Sequence, residues 1–443
     1  MTTFRDRYGY ELTTTSAKAA ELYGEGVDCS LSGEAGAEAA IEAALKEDGS
    51  FALAHVAAAR QAQFLGDMAA AKAGKERAQV LAGGVTARER RHIAAMSAAI
   101  DGDGDGAVAL IREQLAEYPR DAFLLSQAVG PFSLIGFGGG PDWRAETFAL
   151  LEPLAAEYGE DWWFLSSYAF ATNELYRFED ARRLAERSLA LRPRSGHGSH
   201  TLTHVFFETG DAGGGAAFLK GWLPGYERAA TLFSHLSWHQ ALFALKQGQT
   251  DLVMRIYDET LKPSVCTGVP VITIADAASL LWRCDLYGVE HPGGAADELA
   301  AWVANAFARV GITFADEHAA LAYAGAGDGE SLDRLASDLR KREAAGKQQA
   351  GPVALAIVDA IAAFAREEYG AAVDRLTPLV PQLVRIGGSN AQREVFEDTL
   401  LEACLRAGRY DEAERWLRVR LDRRPSARDE TLLARAAAAR QPA

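Results

Sequence analysis

Five of the nine histidines fall between His197 and His239. Four of them form two matched pairs, His200-x3-His204 and His235-x3-His239. Four residues make just over one helical turn, so on helices each pair looks out from one face. Glu208 carries the first stripe one turn further. Two neighbouring helices would then present four imidazoles and a carboxylate to a single space. Those groups suit zinc, iron, nickel or manganese, which makes a divalent metal the candidate cofactor. Imidazole also titrates near neutral pH and suits general acid–base work. The competing interpretation is a buried polar network beside Phe233 and Trp238 that fixes helix register. Thr201 stands where the HExxH metalloproteases need their general-base Glu, so that mechanism is not supported.

Two further motifs carry less chemistry. Asp101-Gly-Asp103-Gly-Asp105-Gly opens like a calcium loop, but Arg112 occupies the twelfth position, where a bidentate Glu is required; the stretch is expected to be an acidic turn between helices. Gly387-Gly388-Ser389 precedes an apolar helix, and Ser389 with Gln392 three residues on is a capping box. With Arg393, the same helix start would suit a carboxylate or phosphate. There is no nucleophile elbow, Walker loop or dinucleotide fingerprint, so no nucleotide cofactor is expected.

The elements that must position these residues are helices. Ala, Leu, Glu and Arg dominate, the alternation expected of strands is largely missing, and breaks recur at Gly, Pro and Asp clusters. Val269–Ile274 is the one β-like run, and it flows into a helical stretch. Phe178…Ala181…Pro193 and Tyr410…Ala413…Pro425 share the spacing of the second half of a tetratricopeptide repeat (TPR). There an aromatic and an Ala pack between paired helices and the Pro ends the second one. Weaker copies occur at Ala107…Pro119, Ala37…Gly49 and Tyr369…Ala372. The expected fold is therefore all-α: a single TPR-like α-solenoid of antiparallel helix pairs over 1–443. Its repeats are degenerate over 1–193 and 346–443 and curl around an atypical His-rich centre at 194–345.

Composition narrows the partners. Of the 443 residues, 46 Lys+Arg stand against 61 Asp+Glu, a net charge of −15. That balance argues against nucleic acid and anionic membrane. No apolar run approaches the roughly 20 residues of a membrane span; the longest, Val353–Phe364, is interrupted by Asp359. The N-terminus lacks the apolar core of a secretory signal, and Cys29, Cys266, Cys284 and Cys404 make no CxxC pair. A cytoplasmic protein is expected. The C-terminal tail, Ala436–Ala443, has no obvious capping pattern, which leaves room for a homodimer.

Several stretches occur in a distinctive order. His200-Thr-Leu-Thr-His204-Val-Phe-Phe-Glu is followed by Ser234-His-Leu-Ser-Trp238-His239-Gln-Ala-Leu. Then come Asp276-Ala-Ala-Ser-Leu-Leu-Trp-Arg283, Phe314-Ala-Asp-Glu-His318 and Ile386-Gly-Gly-Ser-Asn-Ala-Gln-Arg393. From about Asp6 to Pro425 the chain resembles the tetratricopeptide repeat protein 38 family, as a bacterial member. The resemblance implies a TPR-type α-solenoid and supplies no assigned catalytic role. Its polar signature positions are His200, His204, His235, His239, Asp276, Arg283, His318, Ser389, Gln392 and Arg393. Members vary over which residue after the second histidine is acidic, which weighs against Glu208 as a metal ligand.

Two functions remain open. One is a small-molecule site, with the four histidines as ligands or acid–base groups, completed by Asp276 and His318. Arg283, Arg393, Ser389, Gln392 and Trp238 would hold a small anionic molecule. Hydrolysis, elimination or isomerisation, perhaps metal-assisted, would suit it. The other is a scaffold for a protein partner, without catalysis. Convergence of the four imidazoles would favour the first, and dispersal the second.

Overall fold

The computed structural model describes residues 4–439; the end of the tail, 440–443, lies outside the described residues. Two two-residue strands, Phe4–Arg5 and Glu11–Leu12, pair antiparallel near the N-terminus. Beyond these the described regular structure is helix, as the composition leads one to expect. Val269–Ile274 is no strand: Val269 is an extended N-cap and the helix runs Pro270–Tyr287. Pro at the first helical position carries no amide hydrogen to leave unsatisfied and has its φ already set, so it starts this helix well.

TPR-like helix hairpins follow one another along the chain. First helices begin at Ala17, Ala52, Ala87 and Ala122, and later at Trp162, Gly196, Phe233, Pro270, Thr313, Val353 and Asn390. Successive starts are 34 to 43 residues apart by subtraction. The helix period thus continues through 194–345, where the aromatic–Ala–Pro pattern is absent. What persists there is the turn. Gly66, Gly102, Gly210, Gly248, Gly327 and Gly408 each sit at positive φ, between +68° and +86°, just before a second helix. A left-handed residue costs glycine little and other residues about 1 kcal/mol or more. In four of these turns the next residue is Asp67, Asp103, Asp211 or Asp328, whose carboxylate accepts the amide three residues on. Asp103 shows that the acidic calcium-like stretch is an N-capped interhelix turn.

The fourth residue of the second helix is small or buried for a matching reason. Ala71, Ala107, Ala181, Ala372 and Ala413 are wholly buried there, where the two helices of a hairpin approach most closely. At Gly215 the space is tighter still: a Cβ would stand 2.4 Å from the Phe243 ring.

The chain forms two compact units. The first comprises Met1–Gly138, Trp143–Leu202 and Gly225–Phe233. Its helices pack through alanines and buried aromatics such as Phe51, Trp143 and Phe164. A buried polar knot joins the helix Ala87–Ile100 to the chain before Ala122. There Asp121 accepts from Arg88 at 3.1 Å, His92 Nδ1 at 3.1 Å and Gln114 at 2.9 Å.

The second unit comprises Gly139–Asp142, Thr203–Pro224 and Ser234–Ala443. It is tied by a chain of buried charges. Asp398 accepts from Arg283 at 3.3 Å and from Arg420 at 2.8 Å. Arg420 also reaches Glu394 at 3.3 Å and Asp429 at 2.9 Å. Arg424 bonds Glu394 and, at 3.3 Å, Glu208. These arginines hold Glu394 well below the usual carboxylate range, overcoming the opposing effect of its burial.

Two outcomes follow for stability. Glu367 fills the turn-glycine position at φ +62° and is exposed, so Glu367→Gly should stabilise by about 0.5–1 kcal/mol, read as a higher thermal midpoint. Arg424→Met should cost about 3–5 kcal/mol by leaving buried carboxylates under-compensated; an unchanged urea midpoint would show that the charge chain does not bear on stability.

Candidate functional site

The site begins with the helix Gly196–Glu208, which carries His200 and His204 one turn apart. The helix Phe233–Lys246 carries His235 and His239 in the same way. Each histidine of the first pair is 35 residues before its counterpart, whereas the helices that carry them start 37 residues apart. The two pairs therefore lie on the first helices of successive repeats, offset by two positions. His204, His235 and His239, all in the second unit, are buried, and each offers one ring nitrogen such that these atoms lie within 4.8 Å of one another. Within the second unit the rings meet edge to face. His204 and His239 have centroids 4.6 Å apart at 80°, and His235 and His239 are 4.9 Å apart at 76°.

The next first helix, Pro270–Tyr287, supplies the fifth member. His235 Nδ1 donates to Asp276, whose oxygens lie at 3.0 and 2.9 Å. A carboxylate on Nδ1 fixes the tautomer and leaves Nε2 as the lone-pair nitrogen. Trp238 stacks on the same ring at 5.2 Å and 14°, holding it from the side. His235 is thus oriented on two sides by groups from two helices.

Desolvation sets the protonation. Burial pushes His204 down to about 3, helped by His235 and Arg393. Burial also holds His239 well below its ordinary value, with His204, His235, Arg283 and Lys246 acting the same way. Burial raises Asp276, while its bond from His235 and the nearby Arg283 pull it back. At neutral pH His204 and His239 are uncharged. That state suits metal ligation or proton acceptance, and it does not suit direct ion pairing with an anion.

The other expected residues make the following contacts. Arg283 donates to Asp398, to the Ser279 carbonyl at 3.4 Å and to the Ala391 carbonyl at 2.7 Å. Arg393 donates to the Gly387 carbonyl at 3.1 Å, to the Gly388 carbonyl and to Asn390 at 2.6 Å. Both guanidiniums fasten protein groups around the start of the helix Asn390–Arg406. Ser389 and Gln392 make the capping box there. Gly388, at φ +69°, leaves no room for a Cβ, which would stand 2.3 Å from the Phe314 ring. His318 Nδ1 donates to the Phe314 carbonyl at 2.7 Å, between the Phe314 and Phe396 rings. It is not among the grouped imidazoles. Glu208 is outside that group as well, turned to Arg424.

Sequence inspection missed the charge chain. Its signal was available as Glu394/Asp398 and Arg420/Arg424, two four-residue spacings of opposite sign on consecutive helices. Glu317 was also missed. Neither of its carboxylate oxygens has a hydrogen-bond partner among the described residues, and burial holds its carboxyl well above the usual range.

His318 gives the pH dependence that is simplest to measure. Burial lowers it to about 4, against an ordinary value of 6.5. Between those values the unfolded chain binds a proton that the folded chain refuses, so stability falls as pH drops from 6.5 towards 4. His318→Asn should flatten that slope by up to about 1.4 kcal/mol per pH unit, as seen in urea midpoints taken across the range.

No protein-family model matches the chain. The structure is similar to several solved structures at low identity. A tetratricopeptide repeat protein from Parabacteroides merdae is 12% identical, with 71% of this chain and 98% of that one covered and a TM-score of 0.33. Yeast Tom70 is 12% identical over 95% of this chain and 87% of its own, with a TM-score of 0.36. The human IFIT1 dimer with PPP-AAAA is 12% identical, covering 99% and 96%, with a TM-score of 0.42. Likeness at this level carries nothing about ligands or partners.

Proposed function

We propose that this chain is a helical-repeat scaffold for a protein partner and belongs with the tetratricopeptide repeat protein 38 family that its motifs resemble. The observation that supports this is the succession of helix hairpins at 34 to 43 residues through the described residues, since repeated hairpins offer extended surfaces suited to partner proteins. The turn between Ala52–Phe64 and Met68–Leu81 adds a place for contact. Phe64, Leu65 and Met68 are large apolar side chains exposed there by 40, 49 and 51%. Four free cysteines fit work in the cytoplasm.

A second function is favoured by the histidine group: a small-molecule site in which neutral His204 and His239 act as bases, with Asp276 orienting His235. An anionic ligand would then have to find its charge partner outside Arg283 and Arg393, whose donors are engaged with protein groups as described.

Reciprocal cross-linking in the native cell, followed by reconstitution from purified components, tests the scaffold. One partner should bind purified chain directly, and Leu65→Glu with Met68→Glu should weaken that complex about tenfold or more, as loss of a buried apolar anchor does. A chain that cross-links reciprocally to nothing would sink the proposal.

A further inference from the structure

We propose that His204, His235 and His239 of the second unit hold one divalent first-row transition-metal ion, with Asp276 as the group that orients a ligand. The inference stands apart from the scaffold function and does not need a partner.

Two observations carry it. Three ring nitrogens from different histidines of the second unit, His204, His235 and His239, lie within 4.8 Å of one another in a buried group. Such a gathering is what an ion of this class requires, since imidazole is a suitable ligand for zinc, copper, iron and nickel. Next, the His235–Asp276 bond aims one ring in the manner of metal-bound histidines, whose second nitrogen commonly donates to a carboxylate.

With metal–nitrogen bonds of about 2.1 Å, tetrahedral ligands stand about 3.4 Å apart, so nitrogens already within 4.8 Å of one another reach a common ion by small ring movements.

Charge adds a second expectation. Imidazole ligands bring no charge and leave the ion's two charges intact, and Asp276 compensates one. Arg283 lies on the opposite side of the balance, but Asp398 engages it. One positive charge remains, which favours hydroxide or a small carboxylate as an additional ligand.

The test uses the full chain with any affinity tag removed, because a histidine tag binds the same ions. Protein is dialysed separately against Fe(II) without oxygen, Ni(II), Cu(II) and Zn(II), then passed through gel filtration, and metal is counted per chain. About one ion per chain should remain for at least one metal. X-ray absorption on that sample should show nitrogen neighbours with the scattering pattern of three or four imidazoles, and His239→Ala should retain at least about tenfold less metal. Less than about a tenth of an ion per chain for every metal would overturn the proposal, as would full retention in His239→Ala. Should that variant fail to fold, the absorption spectrum of the unaltered chain decides: a bound ion without imidazole neighbours overturns the site.

Discussion

The second unit depends on a line of opposite charges buried away from water. Glu208, Arg424, Glu394, Arg420, Asp398 and Arg283 alternate in sign along it. Burying any one alone would cost several kcal/mol, so each needs its neighbours. The line begins one turn after His204 and ends about two turns after Asp276. The two outer helices of the histidine site are therefore clamped to the same pair of acids, Glu394 and Asp398. Register between those helices is set by charge pairing as well as by apolar packing, and the site inherits that register.

The histidines make the complementary use of burial. Where the charge chain meets the low dielectric by pairing, His204 and His239 meet it by giving up their protons. Both responses follow from the same desolvation, but they leave different chemistry behind: saturated ions in one place, basic lone pairs in the other. Arg283 stands between the two. It closes the charge chain through Asp398, lies 5.9 Å over the Trp238 ring, and disfavours protonation of His239. A residue that looked from its sequence setting like an anion receptor is engaged in maintaining neutral bases nearby.

Much of the fold was legible in the sequence. Helical composition, the Phe178…Ala181…Pro193 spacing and the Ser389–Gln392 capping box all describe local physics, which a single segment contains. The matched HxxxH pairs were legible too, because helical periodicity alone sets which residues share a face. The continuation of the hairpins through 194–345 was hidden, since there Val253 and Leu332 occupy the position where Ala was sought; the positive-φ glycines at Gly210, Gly248 and Gly327 were the better marker. The Asp276–His235 bond spans 41 residues, and the Glu208–Arg424 pair spans 216. Contacts of that kind depend on how hairpins stack, which no local spacing encodes. Arg393 shows the same limit at short range: its neighbours in sequence suggested a ligand, whereas the open carbonyls of a two-glycine turn claimed its donors.

The 35-residue offset between the two histidine pairs bears on how such an array can evolve. Repeat proteins change length readily by duplicating or losing a hairpin, because each repeat rests mainly on its neighbours. Here the grouped imidazoles come from adjacent repeats and the orienting carboxylate from the next. A hairpin inserted before Phe233 would part the pairs, and one inserted before Pro270 would strip His235 of Asp276. The three consecutive repeats carrying these residues are locked in copy number, and the pairs Arg283–Asp398 and Glu208–Arg424 extend that constraint to the repeats that follow.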